Sequence, residues 1–247
     1  MKKKIFILVL VAVLFITGCG KKKDEDTSNQ AYKNTNGFIS YEYNALFDKL
    51  EEKTLVDGIT YKELTWNEEN GTHLEIIVYN NTDKMYYLSA TVQGYKNGAA
   101  IEDEKEYAWE AVNAHSAYTL SFVLYSADKY EIESLEAYEN DDTKELEEDA
   151  YTFESYTIDN ILEEMKIFFK FNGEGKNITS IRLIAFKDGK PVGTLDNFLN
   201  LTDANGNFVN GEVENKGDRS FAWFFDIGEE NFDNFDSYVY FLSGYYE

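Results

Sequence analysis

The chain has 247 residues and a formal net charge of −23, from 46 acidic against 23 basic side chains, with one cysteine, one proline and 16% aromatic residues. Such an excess of carboxylates excludes a nucleic-acid partner, since phosphate backbones are gripped by clustered Lys and Arg that displace counterions. A single thiol excludes a disulfide framework, so side-chain packing must hold the fold, and the many Tyr, Phe, Val, Ile and Thr residues point to strands.

The chain opens on Lys2, Lys3 and Lys4, followed by the apolar run Ile5–Ile16 (IFILVLVAVLFI), the small residues Thr17 and Gly18, and Cys19. A positive segment, a short apolar segment and small residues are the layout of a secretory signal. As a helix, the apolar run rises to about 18 Å, well short of a hydrocarbon core of ~30 Å, which argues against a lasting transmembrane span. Ile16-Thr17-Gly18-Cys19 resembles the lipobox of bacterial lipoproteins. That resemblance implies a signal peptide over 1–18, cleavage between Gly18 and Cys19, and a diacylglyceryl group on the Cys19 thiol. The implied partner is the bilayer itself, and the implied location is the extracytoplasmic face of the cell membrane. Two acyl chains anchor stably where one binds only marginally. Removing 1–18 also strips three lysines and makes the mature chain still more acidic.

Residues 19–36 are polar and charged, too poor in apolar side chains to fold, and are expected to form a flexible tether whose Lys21-Lys22-Lys23 cluster lies near the bilayer. A first domain is expected over 37–138. It would begin with a short helix over 41–52, where Leu46, Phe47 and Leu50 share a face behind Ser40. Strands are expected at Ile59–Trp66, Leu74–Asn81, around Ser89–Gly98, at Tyr118–Tyr125 and at Ile132–Tyr138. The acidic run 139–149 (ENDDTKELEED) reads as a linker, and 150–247 as a second domain.

The second domain repeats the first at a spacing of 91 residues. Leu74-Glu-Ile-Ile-Val-Tyr-Asn-Asn81 aligns with Met165-Lys-Ile-Phe-Phe-Lys-Phe-Asn172. Without a gap, Ser89–Gly98 then aligns with Ser180–Gly189. Asn97-Gly98 and Asp188-Gly189 suit two-residue type I′ hairpin turns, which need positive φ at both central positions. Tyr151–Ile158, Phe221–Ile227 and Tyr238–Tyr245 complete the second set of strands, and Leu195–Asp218 inserts a Gly/Asn-rich excursion with no counterpart in the first. Six or seven short strands per hundred residues fit antiparallel β-sandwiches. The fold expected is therefore all-β, as two tandem sandwiches. The Asn-ending strands (Asn81, Asn172), the aromatic-Lys-Asn/Asp-Gly hairpins and the Tyr-rich last strand resemble the Ig-like domains of Gram-positive surface lipoproteins, including the FxLYD type. That resemblance implies a noncatalytic module and transfers no binding residues.

Little in the chain offers catalytic chemistry. A base near neutral pKa is usually histidine, and only His73 and His115 are present, both expected in strand-end or surface positions. Nucleophile-elbow, Walker and zincin motifs are absent, and with 46 carboxylates no pair stands out. Asp203, Asn205, Asn207 and Glu214 copy ligand positions of an EF-hand loop, but Phe208 occupies the place of the turn glycine, so a Gly/Asn turn between strands is the plainer reading. The four Asn-x-Thr triplets at Asn70, Asn80, Asn177 and Asn200 read as turn composition. Aromatic clusters remain: Phe221, Trp223 and Phe225 alternate onto one side, and Tyr245-Tyr246 lie at the end. The expected function is a membrane-anchored, noncatalytic binding or scaffold protein without cofactor. Alternatives are surface glycan capture through exposed aromatics and a calcium-dependent adhesive role. A solvent-facing row of Tyr and Trp would favour sugars, and their burial would leave a scaffold or a protein partner.

Overall fold

The computed structural model describes residues 31–33, 39–41, 46–68, 71–140, 143–147, 150–159, 164–173, 177–201, 219–224 and 237–246. These residues are all-β. β1 (Ala31–Lys33) and β2 (Ile39–Tyr41) pair as a short ribbon. The first half continues as β3 (Lys53–Val56), β4 (Ile59–Glu68), β5 (Gly71–Asn80), β6 (Tyr86–Lys96), β7 (Ala99–Val112), β8 (Ser116–Leu124) and β9 (Lys129–Glu139). The second half holds β10 (Tyr151–Asp159), β11 (Glu164–Phe171), β12 (Asn177–Lys187), β13 (Lys190–Phe198), β14 (Asn200–Leu201), β15 (Arg219–Phe224) and β16 (Ser237–Tyr246). Every described pairing is antiparallel.

The sequence repeat becomes a repeat of topology. The first half makes sheets β3-β4-β5-β8 and β7-β6-β9, and the second makes β10-β11-β15-β14 and β13-β12-β16. The β6–β7 and β12–β13 hairpins turn at Asn97-Gly98 (φ 53° and 81°) and Asp188-Gly189 (φ 49° and 71°), the two positive φ values of a type I′ turn. Leu74, Ile76 and Val78 of β5 share the first core with Leu88, Ala90 and Val92 of β6. Met165, Ile167, Phe169 and Phe171 of β11 share the second with Ile181, Leu183 and Ala185 of β12 and with Tyr238 and Tyr240 of β16. Rings there meet edge to face, as with Phe169 and Tyr240 at 5.3 Å and 78°.

The two halves stack face to face. Ile184 and Phe186 of β12, with Val239 and Phe241 of β16, belong to the first core although they lie in the second half. Because successive strand residues point to opposite faces, β12 serves both cores at once and its sequence loses the polar alternation of a half-exposed strand. β5 is buried in the same way, with Glu75 and Ile77 inaccessible beside Leu74, Ile76 and Val78. Hydrogen bonds close the seam. Asn113 donates Nδ2 to the Gly244 carbonyl at 2.6 Å and accepts the Gly244 N–H at 2.9 Å.

One sequence expectation changes, and the stretches named as tether and linker both make backbone contacts. Among the described residues of 41–52 there is no α-helix: Tyr41 ends β2, and Phe47–Lys49 form a 3-10 turn closed by an extended Leu50, with 42–45 outside the described residues. The apolar face is still used, because Phe47 is buried and meets Phe186 edge-on at 5.8 Å, wedging the turn into the seam. Within the stretch expected as a tether over 19–36, Ala31–Lys33 pairs with Ile39–Tyr41 and so satisfies part of its backbone. The acidic linker is docked: Glu145 bridges Tyr245, the Leu146 N–H donates to the Gly244 carbonyl, and the Tyr246 N–H donates to that of Lys144.

Candidate functional site

β7 lies close to β8 and to the last strand, β16, so residues from both halves converge at that corner. A groove of about 230 Å³ opens there. Its aromatic wall comes from Tyr87 on β6, Trp109 on β7, Phe198 on β13 and Tyr245 on β16, and its polar floor from Glu110, Arg182, Asp196, Asn197 and two serines. Tyr87 and Trp109 stack at 4.6 Å and 14°. Strand geometry explains the stack: Tyr87 lies opposite Ala111 across the β6–β7 ladder, so Trp109 is its diagonal neighbour on the same face. Trp109 remains 53% exposed and Phe198 58% exposed. Large rings left in water at a groove mouth are unusual for a packing role.

Arg182 anchors the floor. Its Nη1 donates to the Thr119 carbonyl at 3.0 Å, and its Nη2 lies 3.1 Å from Glu110 Oε1 and 3.8 Å from Asp196 Oδ2. Its ring neighbour is Tyr118, 5.8 Å from the guanidinium carbon to the ring centre. Burial alone would lower the guanidinium pKa, but Tyr118, Glu75, Glu110 and Asp196 more than offset it and hold the group charged. Among the described residues the buried Arg182 Nε meets no acceptor. Burial also pushes Glu110 above the usual carboxylate range, against the pull of Arg182, and pushes the Tyr118 phenol up. One guanidinium thus engages both carboxylates of the groove, which holds them as counterions rather than as a separated acid and base.

The sequence candidates are distributed otherwise. Tyr245 lines the groove. Phe221 and Trp223 fall in β15, while Phe225 lies outside the described residues. Cys19 and Gly18, and the calcium candidates Asp203, Asn205, Asn207 and Glu214, also lie outside them. Among the described residues no group of three or more His, Cys, Asp or Glu is placed to hold a metal, and no helix is long and apolar enough to cross a membrane. His73 stacks on Trp66 within β4–β5 at 4.9 Å. His115 occupies a positive-φ turn, with Nε2 2.7 Å from Asp83. Beside it lies a cleft of about 50 Å³, lined by Leu146, Tyr151 and Leu242, with room for about one or two waters.

Sequence reasoning missed Trp109, Glu110, Arg182, Asp196 and Phe198 because the groove joins elements remote in the chain. One signal was present: Glu75 and Arg182 are lone charges inside otherwise apolar strands, and the structure brings both to the seam. No protein-family model matches the chain, and no curated protein matches it in sequence.

Proposed function

We propose that this chain is a lipid-anchored, extracytoplasmic, noncatalytic binding protein and that its ligand is a glycan held in the β7–β13 groove. The stacked Tyr87–Trp109 pair carries the reading: flat, with Trp109 exposed and Tyr87 half-buried, and edged by hydroxyl, amide and carboxylate groups, it offers a sugar both an apolar face and hydrogen-bond partners. The anchor rests on the Lys2–Cys19 pattern. An Ig-like reading of each half is supported by strand order, since β4-β5-β8 against β7-β6-β9 follows A-B-E against C′-C-F of an immunoglobulin-type sandwich, and the second half repeats it.

Two measurements test this. Cells given labelled palmitate are expected to label the wild-type protein and not Cys19→Ala; equal labelling, or none in either, overturns the anchor. Full-length protein in detergent micelles, titrated with cello-, malto- and chito-oligosaccharides, is expected to change its tryptophan fluorescence with at least one series and to return the sugar uncleaved. Trp109→Ala should abolish the change. Silence across the panel, or a response that survives Trp109→Ala, overturns the glycan reading, and cleavage overturns its noncatalytic part.

A further inference from the structure

The outer face of β7-β6-β9 continues the aromatic wall away from the groove. Tyr138 of β9 lies directly opposite Tyr87 of β6 in the antiparallel register. It is 51% exposed, and Tyr107, two residues from Trp109 on the same face of β7, is 67% exposed. Neighbouring strands lie about 4.8 Å apart, so rings on β9, β6 and β7 recur at close intervals across the sheet. The track therefore runs from Tyr138 through Tyr87 and Trp109 to Phe198, passing from one half of the molecule to the other.

Two further observations define what lies on it. At about 230 Å³ the groove is smaller than the ~300–1,000 Å³ of pockets that enclose a drug-sized ligand, so an occupant of several sugars would lie across it and continue beyond. The charges lining it also disfavour an acidic occupant. Arg182 is already matched by Glu110 and Asp196, Lys105 on β7 is taken by Glu133 at 2.5 Å, and the Tyr138 hydroxyl donates to Glu136. An anionic polymer would meet carboxylates with no uncommitted cation among these residues to receive it.

We propose that the ligand is an internal stretch of a linear polysaccharide without acidic groups, its successive sugars stacked on Tyr138, on Tyr87 and Trp109, and on Phe198. This rests on the glycan reading and adds length and charge to it. The test titrates full-length protein in detergent with cello-, malto- and chito-oligosaccharides of one to six rings, and with oligogalacturonides as the acidic probe. In one neutral series affinity should rise about tenfold or more between one and four rings as successive stations are engaged. Tyr138→Ala and Phe198→Ala should each reduce that rise. Tyr125→Ala, exposed but off the track, should leave it intact. Binding that is already complete with a single ring overturns the extended track while leaving the glycan reading standing, and so does a chain-length dependence that survives both variants. Tighter binding of oligogalacturonides overturns the uncharged ligand. Silence from every saccharide overturns both readings together.

Discussion

Glu75 is 1% exposed and accepts hydrogen bonds from Thr119 Oγ1 at 2.6 Å and Thr194 Oγ1 at 3.0 Å, one donor from each half of the molecule. Burial raises its pKa, and the attraction of Arg182 and the hydroxyl donors only partly opposes this. A carboxyl group raised in the folded state binds its proton more tightly there than in the unfolded chain. Its contribution to stability is therefore fully present below the ordinary carboxylate pKa and is lost as pH climbs through the raised folded value. Glu75→Gln keeps the shape and the contact with both threonines while removing the ionisation. At neutral pH it is expected to stabilise the fold by about 1–3 kcal/mol, with the advantage vanishing in mildly acidic buffer. Parallel melting curves for the two proteins from about pH 4 to pH 8 would remove Glu75 as the source of this pH dependence. The chemistry of such a residue was visible in the sequence only as a charge out of place. That Thr194, from a strand of the other half, would face it depends on how two sandwiches stack, which no local spacing encodes.

At the scale of elements, the hairpins illustrate how much a short sequence can specify. Asn97-Gly98 and Asp188-Gly189 announced type I′ turns, and both adopt the required positive φ values. Expected strands recur nearly in place, as Ile59–Trp66 within β4 and Tyr238–Tyr245 within β16, because alternating apolar positions and β-branched or aromatic residues mark strands locally. The expected helix failed for a tertiary reason: Phe47 is held by Phe186, from an element over a hundred residues away, and Leu50 turns extended toward β3. Glycines separate conformational from steric cost. A Cβ at Gly98 would meet nothing within 4 Å, so Gly98→Ala loses only the left-handed preference, about 1 kcal/mol. At Gly71, with φ +151°, a Cβ would lie 2.4 Å from the Leu124 carbonyl oxygen and 2.7 Å from Tyr125 Cα, so Gly71→Ala should cost about 3 kcal/mol or more. Urea unfolding of the two variants checks the order, and a Gly98→Ala loss matching that of Gly71→Ala would contradict it.

For the whole molecule, the shared first core means that the halves support one another. Phe186 is fully buried and lies in the second half's strand β12, yet it packs with first-half residues. Phe186→Ala should cost about 3–5 kcal/mol and split a single calorimetric transition into two; two transitions in the wild type would show that the seam does not couple the halves. The tandem repeat was readable from sequence, but the face-to-face stacking was not, since Ile184, Phe186, Val239 and Phe241 read as ordinary strand residues whichever core they fill. The corner groove follows from that stacking and shared its invisibility. Another consequence concerns the two strands that flank the outermost sheet. β7 and β9 each have β6 as their hydrogen-bonded neighbour among the described residues, which leaves main-chain donors and acceptors turned outward, an invitation to pair with another copy. Glu102, Asp103 and Glu106 belong to one of these strands, and Glu131 and Glu136 to the other. Rim-to-rim approach of two molecules would press like charges together before any ladder formed, so the chain's acidity would oppose the zipping of neighbouring copies into aggregates.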